Sequence, residues 1–105
     1  MLKTKLVMMR AIVIDDEKNG RNTLVALINN HCHEIEIIGE AFNVESGLES
    51  IKRLQPDIVF LDIEMPVGTG FDLLSQLGSV EFEVICVPQK GVYFFTQIFN
   101  ICCFF

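Results

Sequence analysis

Ile58-Val59-Phe60-Leu61-Asp62-Ile63-Glu64-Met65-Pro66 is an apolar run that ends on a carboxylate and soon meets a proline. Its first four residues show none of the alternation of a half-exposed strand. This is the pattern of a central parallel strand buried on both faces. Upstream, Ile12-Val13-Ile14-Asp15-Asp16-Glu17 follows the same plan, an apolar run that stops in acids. In an open α/β sheet, ligands bind at the edge formed by the C-terminal ends of the strands. Two strands that end in Asp15-Asp16 and in Asp62 deliver three carboxylates to that edge. Oxygen ligands of this kind suit Mg²⁺ and phosphoryl chemistry.

The residues between and beyond these runs alternate in period. Leu6 to Met9 and Ala11 to Ile14 read as a single first strand interrupted by Arg10, or as a short lead-in followed by a strand, with the second half the better-supported part. Glu17 to Asn30 has helical spacing, with Leu24, Leu27 and Ile28 on one face, Arg21 and Asn22 opposite, and Asp16 placed to cap it. Ile35 to Ala41 reads as a part-exposed strand in which Ile35, Ile37 and Gly39 alternate with Glu36, Ile38 and Glu40. Val44 to Leu54 is a helix carrying Leu48, Ile51 and Leu54, and Gln55-Pro56 stops it because the residue before proline is pushed out of the α region. Asp57 to Leu61 is the buried strand, Met65 to Gly70 a loop, Phe71 to Leu77 a short helix and Phe82 to Val87 a fourth strand. Strands alternating with helices predict a parallel sheet covered on both faces.

The chain has 105 residues, half of them apolar, which is enough for one domain and its core. Its net charge of -6 argues against a nucleic-acid surface and against binding to anionic membranes. Cys32, Cys86, Cys102 and Cys103 form no CxxC pair and read as reduced thiols of a cytoplasmic protein. Met1 to Met9 is too short in apolar residues for a signal peptide and lacks a small-residue cleavage site. After Lys90 there is no charged residue, and six of the ten aromatic residues lie between Gly91 and Phe105. That tail is too short to span a membrane, and a segment this apolar should associate with something if exposed.

Each candidate site has a bland reading beside the chemical one. Asp15-Asp16 alone could be a helix-start acid run, and Asp62 alone the start of a turn. Both follow buried-strand patterns, so together they favour a shared site. His31 and His33 flank Cys32 at a helix end and could ligate a metal, but a helix C-terminus is also an ordinary place for histidine. Gly68-Thr69-Gly70 is not a P-loop, since no Lys-Ser/Thr follows.

Asp15-Asp16-Glu17 after one strand, and Asp62-Ile63-Glu64-Met65-Pro66 with Gly70 after another, resemble the acidic site and phosphoacceptor loop of receiver domains from bacterial two-component response regulators. The resemblance covers Arg10 to Val87 and is nearest to receivers of LytTR-type regulators. It implies a three-layer flavodoxin-like α/β fold with a parallel sheet in strand order 2-1-3-4 and then a fifth strand. It also implies a phosphoacceptor rather than an enzyme, with at most self-phosphorylation and self-dephosphorylation. Asp62 would accept a phosphoryl group from a sensor histidine kinase. Mg²⁺ would be held by Asp16, Asp15, Asp62 and the backbone carbonyl of Glu64.

The sequence departs from that family after its fourth strand. Receivers end this strand in Thr or Ser, whereas Val84-Ile85-Cys86-Val87 leads to Pro88. Their fifth strand ends in Lys-Pro. Here Lys90 falls too early for that lysine and Thr96 is a poor substitute for the hydroxyl. Residues 1–87 therefore read as a receiver-like domain and 88–105 as a tail that is not native receiver sequence, as a truncated or frameshifted gene would give, with the fifth strand missing or replaced. Mg²⁺ binding would survive and switching would be impaired. Two other classes stay open. One is a phosphorylation-independent interaction module that forms a homodimer through exposed apolar surface. The other is a phosphate-ester hydrolase with an Asp nucleophile, although the second acid of such enzymes is here Glu64.

Overall fold

The computed structural model describes residues 8–62, 70–77 and 81–87. Its elements are β1 (Met9–Ile14), α1 (Lys18–His31), β2 (Ile35–Ala41), α2 (Val44–Leu54), β3 (Ile58–Asp62), α3 (Gly70–Leu77) and β4 (Glu83–Val87). The strands form one parallel sheet in the order β2-β1-β3-β4. The expected order is therefore met among the described residues. The tail after Val87, and any fifth strand within it, lies outside them.

The apolar runs of β1 and β3 are buried because side chains alternate across a strand and both faces are covered. Ala11, Val13, Ile58 and Phe60 face one way and pack with Leu24, Ile28 and Cys32 of the α1 side. Ile12, Ile14, Val59 and Leu61 face the other way and meet Ile51 of α2 and Leu73 of α3. Burying a side chain of this size contributes about 1.5–3 kcal/mol, so these two strands anchor the core and hold their C-terminal ends in place.

The helix ends are set by chemistry partly visible in the sequence. α2 starts with a reciprocal cap: Ser46 N donates to Asn43 Oδ1 at 2.7 Å, and Asn43 N donates to Ser46 Oγ at 3.1 Å. It ends at Gln55, a left-handed residue with φ 47°. Arg10 covers that end, with Nη2 donating to Leu54 O at 2.8 Å and Nη1 to Gln55 O at 3.0 Å. Arg10 is thus an integral residue of β1 and not a break in it. Its backbone also exchanges bonds with Asp57, whose Oδ2 accepts from Arg10 N at 2.9 Å.

Three local expectations are corrected. α1 has Glu17 at its N-cap, without a side-chain capping bond, so Asp16 is not the cap. Cys32 is buried and disulfide-bonded, not a reduced thiol. Cys86 is free and exposed. The alternation of β2 also breaks. Ala11 pairs with Ile37 but Ile12 pairs with Gly39, which leaves Ile38 as an extra residue. Ile37 packs on the α1 side, whereas Ile38 and Gly39 both face the α2 side: Ile38 packs in that core, and a Cβ on Gly39 would meet Leu54 Cδ1 at 2.7 Å. A bulge of this kind bends the strand and re-aims the side chains after it.

Candidate metal centre

β1 lies between β2 and β3, and the chain leaves it to one side through α1 and reaches the other side later. This is the topological switch point at which parallel sheets bind ligands. Ile14 is level with Leu61 in the β1–β3 ladder, so the next residues, Asp15 and Asp62, emerge side by side. Carboxylate oxygens of Asp15, Asp16 and Asp62 all lie within 4.8 Å of one another. The structure thus brings together the three aspartates singled out in the sequence. Asp15 is buried at 2% exposure, and Asp16 and Asp62 are half-buried.

The turn carrying Asp15 and Asp16 is tied down at several points. Asp15 N donates to Ala41 O at 3.0 Å, and Asp15 Oδ1 accepts from Glu17 N at 2.9 Å. The Asp15 carbonyl accepts from Arg21 Nη1 at 2.8 Å, and Arg21 Nε lies 3.4 Å from Glu40 Oε1. In the sequence Arg21 reads only as part of the polar face of its helix. Its position six residues after Asp15, one helical turn into α1, is the signal that it can reach back to the acid turn.

Two unit charges at this spacing repel by roughly 4 kcal/mol at an effective dielectric near 20, and by less where water reaches them. A divalent cation offsets this repulsion. A donor set made wholly of carboxylate oxygen fits a hard cation and not a thiolate- or imidazole-seeking one. Glu64, expected to add its carbonyl, lies outside the described residues, as do Pro88, Lys90 and Thr96. Among the described residues His31 and His33 join no such ligand group. A cavity of about 490 Å³ opens at the opposite edge of the sheet, lined by Lys52, Gln55, Asp57 and Phe82 among others, remote from the three acids. No helix among the described residues is long and apolar enough to cross a membrane.

Comparison with known proteins agrees with this geometry. The profile of the response regulator receiver domain matches residues 11–97, which takes it past Val87 into the stretch that reads as non-native in the sequence. An uncharacterised response regulatory protein of Vibrio cholerae serotype O1 is 47% identical over 87 residues, which are 82% of this chain and 36% of that protein. Sensory transduction protein LytT of Bacillus cereus is 43% identical over 74 residues, 70% of this chain and 30% of its own length. The chain therefore spans about a third of the length of these curated relatives. The crystal structure of the response regulator domain of Thermotoga maritima CheB superposes with a TM-score of 0.69 over 87% of this chain and 72% of that one, at 23% identity, a likeness of fold. With the acidic edge, the strand order and these matches in agreement, this chain belongs to the response regulator receiver domain family of two-component signalling.

Proposed function

We propose that the chain is the phosphoacceptor module of a bacterial two-component phosphorelay, receiving a phosphoryl group on Asp62 from a sensor histidine kinase in the cytoplasm. The observation that carries this reading is the convergence of Asp15, Asp16 and Asp62 within 4.8 Å at the C-terminal edge of the sheet. In the transfer an oxygen of Asp62 forms the new O–P bond as the bond from phosphorus to the donor's histidine nitrogen breaks. Asp62 ends β3, so a buried strand holds its carboxylate at the edge. Asp16 and Asp15 serve as ligands for Mg²⁺ together with Asp62 and the Glu64 carbonyl. The cation supplies neutralisation of the charge that otherwise opposes attack by a carboxylate on a phosphoryl group.

A second reading is favoured by β4. Val87 is level with Asp62, and no residue from Glu83 to Val87 carries a hydroxyl. A receiver without that hydroxyl would bind Mg²⁺ yet switch poorly and act as an interaction module. Phe42 and Met8 are large apolar side chains exposed among the described residues, which supports self-association. Light scattering over a concentration series reads it: a constant monomer mass removes the homodimer. The change of composition after Val87 supports a non-receiver origin for residues 88–105, while the family match through residue 97 stands against it. Resequencing the source gene in all frames decides between them.

Acetyl phosphate or beryllofluoride labelling of the chain, read by intact mass with and without Mg²⁺, tests the main reading. A Mg²⁺-dependent adduct that disappears in Asp62→Asn is expected. Mg²⁺ binding with no adduct would leave the interaction module as the function.

A further inference from the structure

Arg21 engages two elements besides its own helix. Nη1 holds the Asp15 carbonyl at 2.8 Å, and Nε faces Glu40 Oε1 of β2 at 3.4 Å. Its side chain is 16% exposed, so the guanidinium is largely shielded from water. The β2 bulge is what makes this pairing available. Ile35 and Ile37 face α1, so unbroken alternation would turn Glu40 towards α2. The extra residue Ile38 reverses the sense and returns Glu40 to the α1 side, opposite Arg21. With its N–H on Ala41 O and its carbonyl on Arg21, Asp15 has both backbone groups fixed, one by β2 and one by α1.

We propose that Arg21, oriented by Glu40, is a positioning residue of the metal centre: it fixes the turn from which Asp15 and Asp16 project. The inference rests on the receiver reading and deepens it. It also makes a prediction opposite in sign to the simple electrostatic one. A guanidinium beside the acids repels a bound cation, so its loss as a mere charge would tighten cation binding. Its loss as a positioning group loosens binding. Partners that orient metal ligands typically change affinity by about 10–100-fold when removed.

The test is titration of the full chain with Mn²⁺, followed through the paramagnetic resonance of the free ion, for the wild type, Arg21→Met and Arg21→Lys. It is run well below the melting temperature, with the fold checked by circular dichroism. Affinity is expected to fall about tenfold in Arg21→Met. A smaller fall is expected in Arg21→Lys, which keeps the charge but cannot reach Asp15 and Glu40 with one planar fork. Equal or tighter binding by Arg21→Met overturns the proposal. If that variant does not fold, unchanged affinity in Arg21→Lys overturns it and a measurable loss supports it. Failure of the wild type to bind Mn²⁺ is a separate result, which removes the proposed phosphoacceptor function and this inference with it.

Discussion

Asp15 is the residue at which folding and chemistry pull in opposite directions. It is buried, and its carboxylate shares a space of 4.8 Å with those of Asp16 and Asp62. Without a cation, the like charges work against the folded state. Asp15→Asn keeps a carbonyl oxygen to accept from Glu17 N and removes one charge. We expect the variant to gain about 1 kcal/mol in chelator, a rise in melting temperature of about 4–8 °C for a chain of this size. Scanning calorimetry in chelator checks this. A lower melting temperature would mean that the carboxylate is paired strongly enough in the fold to outweigh the repulsion. The three aspartates were legible in the sequence because each stands at or just past the end of an apolar run, a signal local to a few residues. Arg21 and Glu40 were not. Their meeting depends on how β2 registers against β1, and the one-residue slip at Ile38 reverses which side Glu40 faces.

Gly47 decides how closely α2 lies on the sheet. A Cβ there would sit 2.6 Å from Leu73 Cδ1 and 3.0 Å from Ile14 Cδ1, both fully buried. Alanine in place of glycine favours a helix by about 1 kcal/mol. Crowding a filled core costs about 1–3 kcal/mol, so the packing penalty wins. Gly47→Ala is expected to lower stability by about 1 kcal/mol net, read as a fall in the urea midpoint at constant slope. An unchanged or higher midpoint would show that Leu73 moves aside at little cost. At this scale most element types were legible, because periods of two and of three to four residues survive in short windows. Pro56 marked the end of α2 for the same reason. What escaped was the long-range part. A residue of β1, Arg10, caps α2, and no local pattern ties it to Leu54 and Gln55.

For the molecule as a whole, the proposed cation binding would be coupled to folding, because the acids converge only when β1 and β3 are paired. A ligand that binds only the folded state adds about 2.7 kcal/mol at a hundred times its dissociation constant. Saturating Mg²⁺ is therefore expected to raise the melting temperature of the wild type, and to do so much less in Asp62→Asn. Equal shifts in both would place the bound ion elsewhere. The layered α/β class followed from alternating periods alone, whereas the strand order came with the family resemblance, since nothing local says which strands become neighbours. That order has a consequence for the chain as it is made. The strand between β2 and β3 leaves the ribosome before either of them, and its partner on one side comes 47 residues later, the separation of Arg10 and Asp57. At roughly 5–20 residues per second, Ile12, Val13 and Ile14 wait a few seconds with one edge open to any passing strand. During that interval the nascent chain is a natural client for chaperones, and arrival of Asp57 beside Arg10 is the step that closes the window.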